Sequence, residues 1–188
     1  MNRWNMNPGD NCYFVTAAII ERQNIFIALP FYHEVIRDLQ YCCTTECHLH
    51  GYVIMPDHAH FILSTDSPGM LAHSVSHFMQ RTSGNIISLL EEMNRYEVLE
   101  VFHRAEEHEE CGVRHSVWQE KYHLGVIDTG DIFRQTLDSL HKNPVRKGFV
   151  EQPEHWRWSS ARNYILNDHS LIQIECLAQE EFNMKNKK

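Results

Sequence analysis

The sequence has no run close to the ~18 apolar residues that a membrane-spanning helix needs, so a membrane protein is not expected. Residues 1–10 are polar and hold no apolar signal core, so secretion is not expected either. The six cysteines stand at 12, 42, 43, 47, 111 and 176 without a Cys-x-x-Cys spacing. They read as reduced thiols in a cytoplasmic protein rather than as disulfide staples. Internal repeats and low-complexity tracts are missing. A positive net charge is missing too: 17 Lys and Arg against 25 Asp and Glu give −8, a balance opposite to that of a generic nucleic-acid binder.

What is present suits one domain over 1–188. The hydrophobic share is 43% and the aromatic share 11%, enough for a proper core. The charge is unevenly placed. Residues 91–110 hold eight acids against Arg95 and Arg104, and a segment of about 96–112 reads as an acidic helical or loop insertion over the surface. Residues 142–162 hold Lys142, Arg146, Lys147, Arg157 and Arg162 against two acids. This basic, Trp-rich stretch belongs to a C-terminal extension of about 144–182.

Apolar and β-branched residues predict a strand over 13–20 and a helix from Pro30 to about Glu46. A hairpin follows, with strands at 47–55 and 59–64 around a Pro56-Asp57 turn. In its first strand His48, His50, Tyr52 and Ile54 are expected on one face, and Leu49, Val53 and Met55 on the other. A long helix is predicted from Met70 to about Arg95, a fourth strand over 117–127, and a helix from about Asp131 to Lys142 ended by Pro144. Asp131 is its expected N-cap. The order β-α-β-β-α-β is that of an α+β, ferredoxin-like antiparallel sheet with helices on one face.

The sharpest local feature is Met55-Pro56-Asp57-His58-Ala59-His60 after an apolar strand. Residues two apart on a strand point the same way, so His58 and His60 present two imidazoles together. Neutral imidazoles so placed are a good start to a metal site. With 14 histidines in the chain, a pair of surface histidines is the other reading. Asp57 is placed either to orient an imidazole or simply to make the turn.

This block resembles the HUH motif (His, hydrophobic, His) of single-strand DNA transposases. Trp118-Gln119, then Asn143-Pro144-Val145-Arg146-Lys147-Gly148-Phe149-Val150, then Trp156-Arg157-Trp158-Ser159-Ser160 and Tyr164 extend the likeness. Together the blocks resemble the REP-associated tyrosine transposases, in family order, over roughly residues 10–165. The resemblance implies an HUH-nuclease-like domain. It implies a divalent cation, Mg²⁺ or Mn²⁺, held by His58, His60 and Asn143. It also implies single-stranded or hairpin DNA as partner, metal-dependent nicking, strand transfer through a hydroxyl nucleophile, and a monomer or homodimer.

One residue departs from the family pattern. The position of the nucleophilic tyrosine, four before Asn143, is held by Ser139. Tyr122 is the alternative nucleophile, and Tyr164 reads as a packing residue. The substitution also allows a catalytically impaired, domesticated hairpin-DNA-binding protein. Lys142, Arg146, Lys147 and Arg157 are the expected phosphate contacts. Trp118 is an expected base-stacking ring, whereas core packing is favoured for Trp156 and Trp158.

Overall fold

The computed structural model describes residues 11–43, 47–65, 68–107, 117–174 and 176. Four strands form one antiparallel sheet in the order β2-β3-β1-β4: β1 (Asn11–Ala18), β2 (Cys47–Met55), β3 (His58–Thr65) and β4 (His123–Ile127). The helices are α1 (Leu29–Cys42), α2 (Pro68–Glu92), α3 (Tyr96–Glu107), α4 (Gly130–His141), α5 (Asn143–Arg146) and α6 (Ala161–Leu166). This is the ferredoxin-like arrangement that the sequence predicts.

Strand alternation divides the core. Tyr13, Val15 and Ala17 of β1 and Ala59, Phe61 and Leu63 of β3 join Phe31, Val35, Leu71, Val75 and Phe78 of α1 and α2 in the larger cluster. Cys12, Val53, Met55 and Ile62 face the other way and meet Phe133, Leu137 and Leu140 of α4. The second face is therefore partly covered rather than bare, and α4 departs from the expectation of helices on one face only. Gly51 permits the close approach, because a Cβ there would lie 2.8 Å from Leu137 Cδ1.

Several boundaries move for identifiable reasons. β1 stops at Ala18, and a 3₁₀ turn follows in which Glu21 and Arg22 take left-handed φ values of 49° and 54°. A bulge between Leu49 and Gly51 shifts β2 by one residue. Leu49 thus joins Tyr52 and Ile54 in the larger cluster instead of facing away from them. Thr129, not Asp131, caps α4: its hydroxyl accepts from the Ile132 N–H at 3.2 Å. β4 spans five residues, and only Trp118 of the segment before it bridges to Ile19.

The acidic segment is not a loose insertion. Val98, Leu99, Val101 and Phe102 of α3 are buried in the larger core, and α3 packs on α2. Its acids Glu97 and Glu100 are therefore held on the helical side of the sheet. Residues 108–112 of that segment and 177–182 of the C-terminal extension lie outside the described residues, as does Glu46. The rest of the extension is built into the fold. Ile54 N–H donates to Trp158 O, and Ser160 N–H donates to Tyr52 O, both at 2.9 Å, so residues 158–160 run along the edge of β2.

Candidate functional site

His58 opens β3 directly after the Pro56-Asp57 turn. The turn is pinned by Ile19 N–H to Asp57 O at 2.9 Å and Phe26 N–H to Pro56 O at 3.0 Å. Ala59 goes into the larger core, so His58 and His60 share the opposite face, their ring centroids 4.8 Å apart. His60 pairs across the sheet with Thr16 and stacks on Phe14 at 5.1 Å.

Both rings are oriented through Nδ1. His58 Nδ1 lies 2.5 Å from Asp57 Oδ1, and His60 Nδ1 lies 2.7 Å from Thr16 Oγ1. An Nδ1–H donated to the Asp57 carboxylate leaves the Nε2 of neutral His58 carrying the lone pair. The same tautomer of His60 donates to the Thr16 hydroxyl. Burial holds both rings neutral. For His58, burial is the largest cause of a lowered pKa, while Asp57 pulls the other way. For His60, burial, then His58, Arg22 and Arg146, push the pKa down to about 3.

These observations fit a divalent cation on the His pair. Both ligands are in the unprotonated form, and each is steered by an outer partner. Among the described residues no group of three His, Cys, Asp or Glu is gathered. Asn143, the third residue that the sequence suggests, carries an amide oxygen, a hard donor suited to such a cation. Asn143 opens α5 half-buried. Of the cations, Arg22 and then Lys147 push the His58 pKa down, and Arg22 and then Arg146 that of His60.

Ser139 is exposed on α4. Arg146 Nη2 donates to its carbonyl at 2.5 Å and to its hydroxyl at 3.1 Å. Lys142 is engaged with Asp138 at 2.9 Å. Arg157 is exposed, its guanidinium 5.7 Å from the Trp158 ring centroid. Tyr122 lies one residue before β4, half-buried against the larger core cluster.

The stacking role expected of Trp118 is not available to it. The residue is 0% exposed and donates its indole N–H to Thr82 Oγ1 at 2.7 Å. Trp156 donates to Ile54 O at 3.0 Å, and Trp158 stacks on Tyr32 at 4.4 Å. Ser160 Oγ accepts from Tyr52 N–H at 2.9 Å and lies 2.8 Å from His141 Nε2. Tyr164 donates to His50 O at 2.8 Å. His50 itself is fully buried, 2.7 Å from Ser64 Oγ, and not a partly exposed sheet residue. The Trp-Ser-Ser block is thus mainly a clamp on β2. Two residues that sequence reasoning passed over are Thr16, which only strand pairing places beside His60, and Phe149, half exposed against Trp156.

No family model and no curated protein matches the sequence. Among solved structures, the chain is similar to a REP-associated tyrosine transposase bound to a REP hairpin. The TM-score is 0.59 at 14% identity, over 95% of this chain and 92% of that one. A candidate transposase from Deinococcus radiodurans R1 is similar at a TM-score of 0.48 and 12% identity, over 76% of this chain and 97% of that one. The chain therefore shares the fold of the hairpin-bound transposase over 95% of its length.

Proposed function

We propose that the protein binds single-stranded or hairpin DNA on the sheet face that carries His58 and His60, and nicks it in a metal-dependent reaction through a hydroxyl nucleophile. One observation carries the reading. Two neutral, oriented imidazoles share a face that the basic residues Arg146 and Lys147 approach, in a chain whose net charge is −8. A phosphate diester is a ligand that needs both a Lewis-acid site and local positive charge. The transposase of the same fold is bound to a hairpin, which supports DNA as that ligand.

His58, His60 and Asn143 are the residues that would hold Mg²⁺ or Mn²⁺. When bound, such an ion supplies polarisation of a scissile phosphate oxygen. The chain's own contributions are definite. Asp57 and Thr16 fix the two rings. Arg146, Lys147 and Arg157 attract the backbone. Lys142 contributes less, since its ammonium is already shared with Asp138. Arg146 also lies on the Ser139 hydroxyl, where a guanidinium favours the deprotonated form. Attack by Ser139 Oγ would form a Ser–O–P bond to the 5′ side and break the P–O3′ bond, with the serine proton passing through solvent to the leaving 3′ oxygen to give a free 3′-hydroxyl.

Ser139 itself favours a second reading, a domesticated hairpin-binding protein without the chemistry. An aliphatic hydroxyl loses its proton far less readily than a phenol. The neighbour of the Ser139 hydroxyl is a cation rather than a base.

The test is a 5′-labelled, hairpin-containing single-stranded DNA incubated with Mg²⁺ or Mn²⁺ and run on a denaturing gel. The expected result is metal-dependent cleavage that His58→Ala and Ser139→Ala abolish and Tyr122→Phe leaves intact. Loss in Tyr122→Phe instead would move the nucleophile there. Binding without cleavage under either metal would establish the second reading.

A further inference from the structure

We infer that the exposed half of the Phe149 ring, seated on Trp156, is a stacking platform for an unpaired base of the DNA. The inference rests on the proposed DNA-binding reading and adds a binding element to it.

The chain end of α5 explains the placement. Gly148 takes a left-handed φ of 74°. Its N–H donates to Val145 O at 2.9 Å, and the Phe149 N–H donates to Pro144 O, also at 2.9 Å. This pair of bonds is a Schellman motif, and it fixes the backbone of the residue after the glycine. In the ordinary form of the motif that residue packs its side chain back onto the helix. Here the ring centroid sits 5.4 Å from that of Trp156 at an interplanar angle of 32°, and 50% of the residue stays exposed. Trp156 in turn is tied by its indole N–H to Ile54 O. The platform is therefore a tilted pair of rings that leaves half of Phe149 exposed.

A single exposed apolar residue needs no function. Leu124, Val126 and Ile165 are exposed as well. Phe149 differs in its surroundings. Arg146 and Lys147 precede it by three and two residues, and Arg157 adjoins Trp156; all three are exposed. Lys147 also lies within electrostatic range of His58. An aromatic face among cations that track a phosphate backbone is the pairing that holds unpaired nucleotides: the cations take the phosphates, and the ring takes a base of any identity. Trp118, which the sequence suggested for this work, is occupied in packing. A fixed, half-open ring costs little entropy to dock against.

The experiment uses the full chain and a hairpin with a single-stranded arm carrying 2-aminopurine at each arm position in turn. A matched hairpin without an arm is the control. The expected result is one arm position whose fluorescence is quenched by the wild-type protein and by Phe149→Tyr, but not by Phe149→Leu. Phe149→Leu should also weaken binding of the armed hairpin about tenfold, within the range for one lost base–aromatic stack. Binding of the armless hairpin should be unchanged, a separation that a purely structural role would not produce.

Equal quenching and affinity for Phe149→Leu, with wild-type binding intact, would overturn the inference and leave the DNA reading standing. Absence of binding by the wild-type protein would overturn both. Should Phe149→Leu fail to fold, an abasic nucleotide at the quenched arm position tests the same contact from the DNA side. About tenfold weaker binding of that hairpin supports the platform, and unchanged binding overturns it.

Discussion

Individual residues divide between chemistry and support in ways that composition does not reveal. Trp118 is the plainest support residue. It fills the space between Phe26 and Phe78 with ring centroids 5.7 and 5.8 Å away, and spends its N–H on Thr82. Trp118→Ala should cost about 3–5 kcal/mol of stability, measured by urea unfolding. Hairpin affinity per folded molecule should stay unchanged. Ser160→Ala should cost about 1–3 kcal/mol, because it strands the buried Tyr52 N–H. Asp168 gives a pH signature. Hydrogen bonds from Ser170, and then the Arg162 guanidinium at 2.7 Å, hold its carboxyl well below the usual carboxylate range. A depressed folded pKa means that this stabilisation is present above the unfolded value of about 3.9 and is lost as pH falls through the folded one. The urea midpoint should fall on acidification below about pH 4. Asp168→Asn should lower the midpoint at neutral pH and flatten that fall.

Elements place the site, and two glycines govern how. Gly51 lets α4 lie close on β2, and α4 carries Ser139. Gly51→Val should push Leu137 outward and cost about 1–3 kcal/mol by overpacking. Nicking should fall more than hairpin affinity, since the helix bearing Ser139, the proposed nucleophile, would move. Gly148 has open space where a Cβ would go, so its constraint is purely conformational. Gly148→Ala should therefore cost about 1 kcal/mol from the positive φ alone.

At this scale the limits of the sequence are also clear. The strands were legible because alternation of apolar residues is local, and the His58–His60 pair was legible because two-residue spacing on a strand needs no tertiary information. The bulge at Leu49–Gly51 was not legible, because one unpaired residue leaves no compositional trace while reversing every face before it. The apolar stripe of α3 was masked by its acids, so a core helix passed for a surface insertion. Trp118 is buried instead of stacking on bases, since exposure is decided by what packs against a side chain.

For the whole molecule the proposed function requires an acidic chain to meet DNA. Part of its acid lies away from the His pair. α3, with Glu97 and Glu100, packs on α2 on the helical side of the sheet. The His pair faces the other side, that of α4. Neutralising Glu97 and Glu100 to Gln should therefore change hairpin affinity less than twofold, a shift of under about 0.4 kcal/mol. Each of Lys147→Ala and Arg157→Ala should reduce the slope of log affinity against log salt by about 0.7, the value for one single-strand phosphate contact. Lys142→Ala should change it less, because that ammonium is paired with Asp138.

The most direct test of the account is the equilibrium binding of a labelled, single-stranded-armed hairpin by fluorescence anisotropy, at two salt concentrations, for the wild type and Lys147→Ala/Arg157→Ala. The account predicts saturable binding by the wild type. Affinity should fall with salt, and the slope should be shallower in the double variant. Failure of the folded wild-type chain to bind the hairpin even at low salt, or a slope that the double variant leaves unchanged, would contradict it.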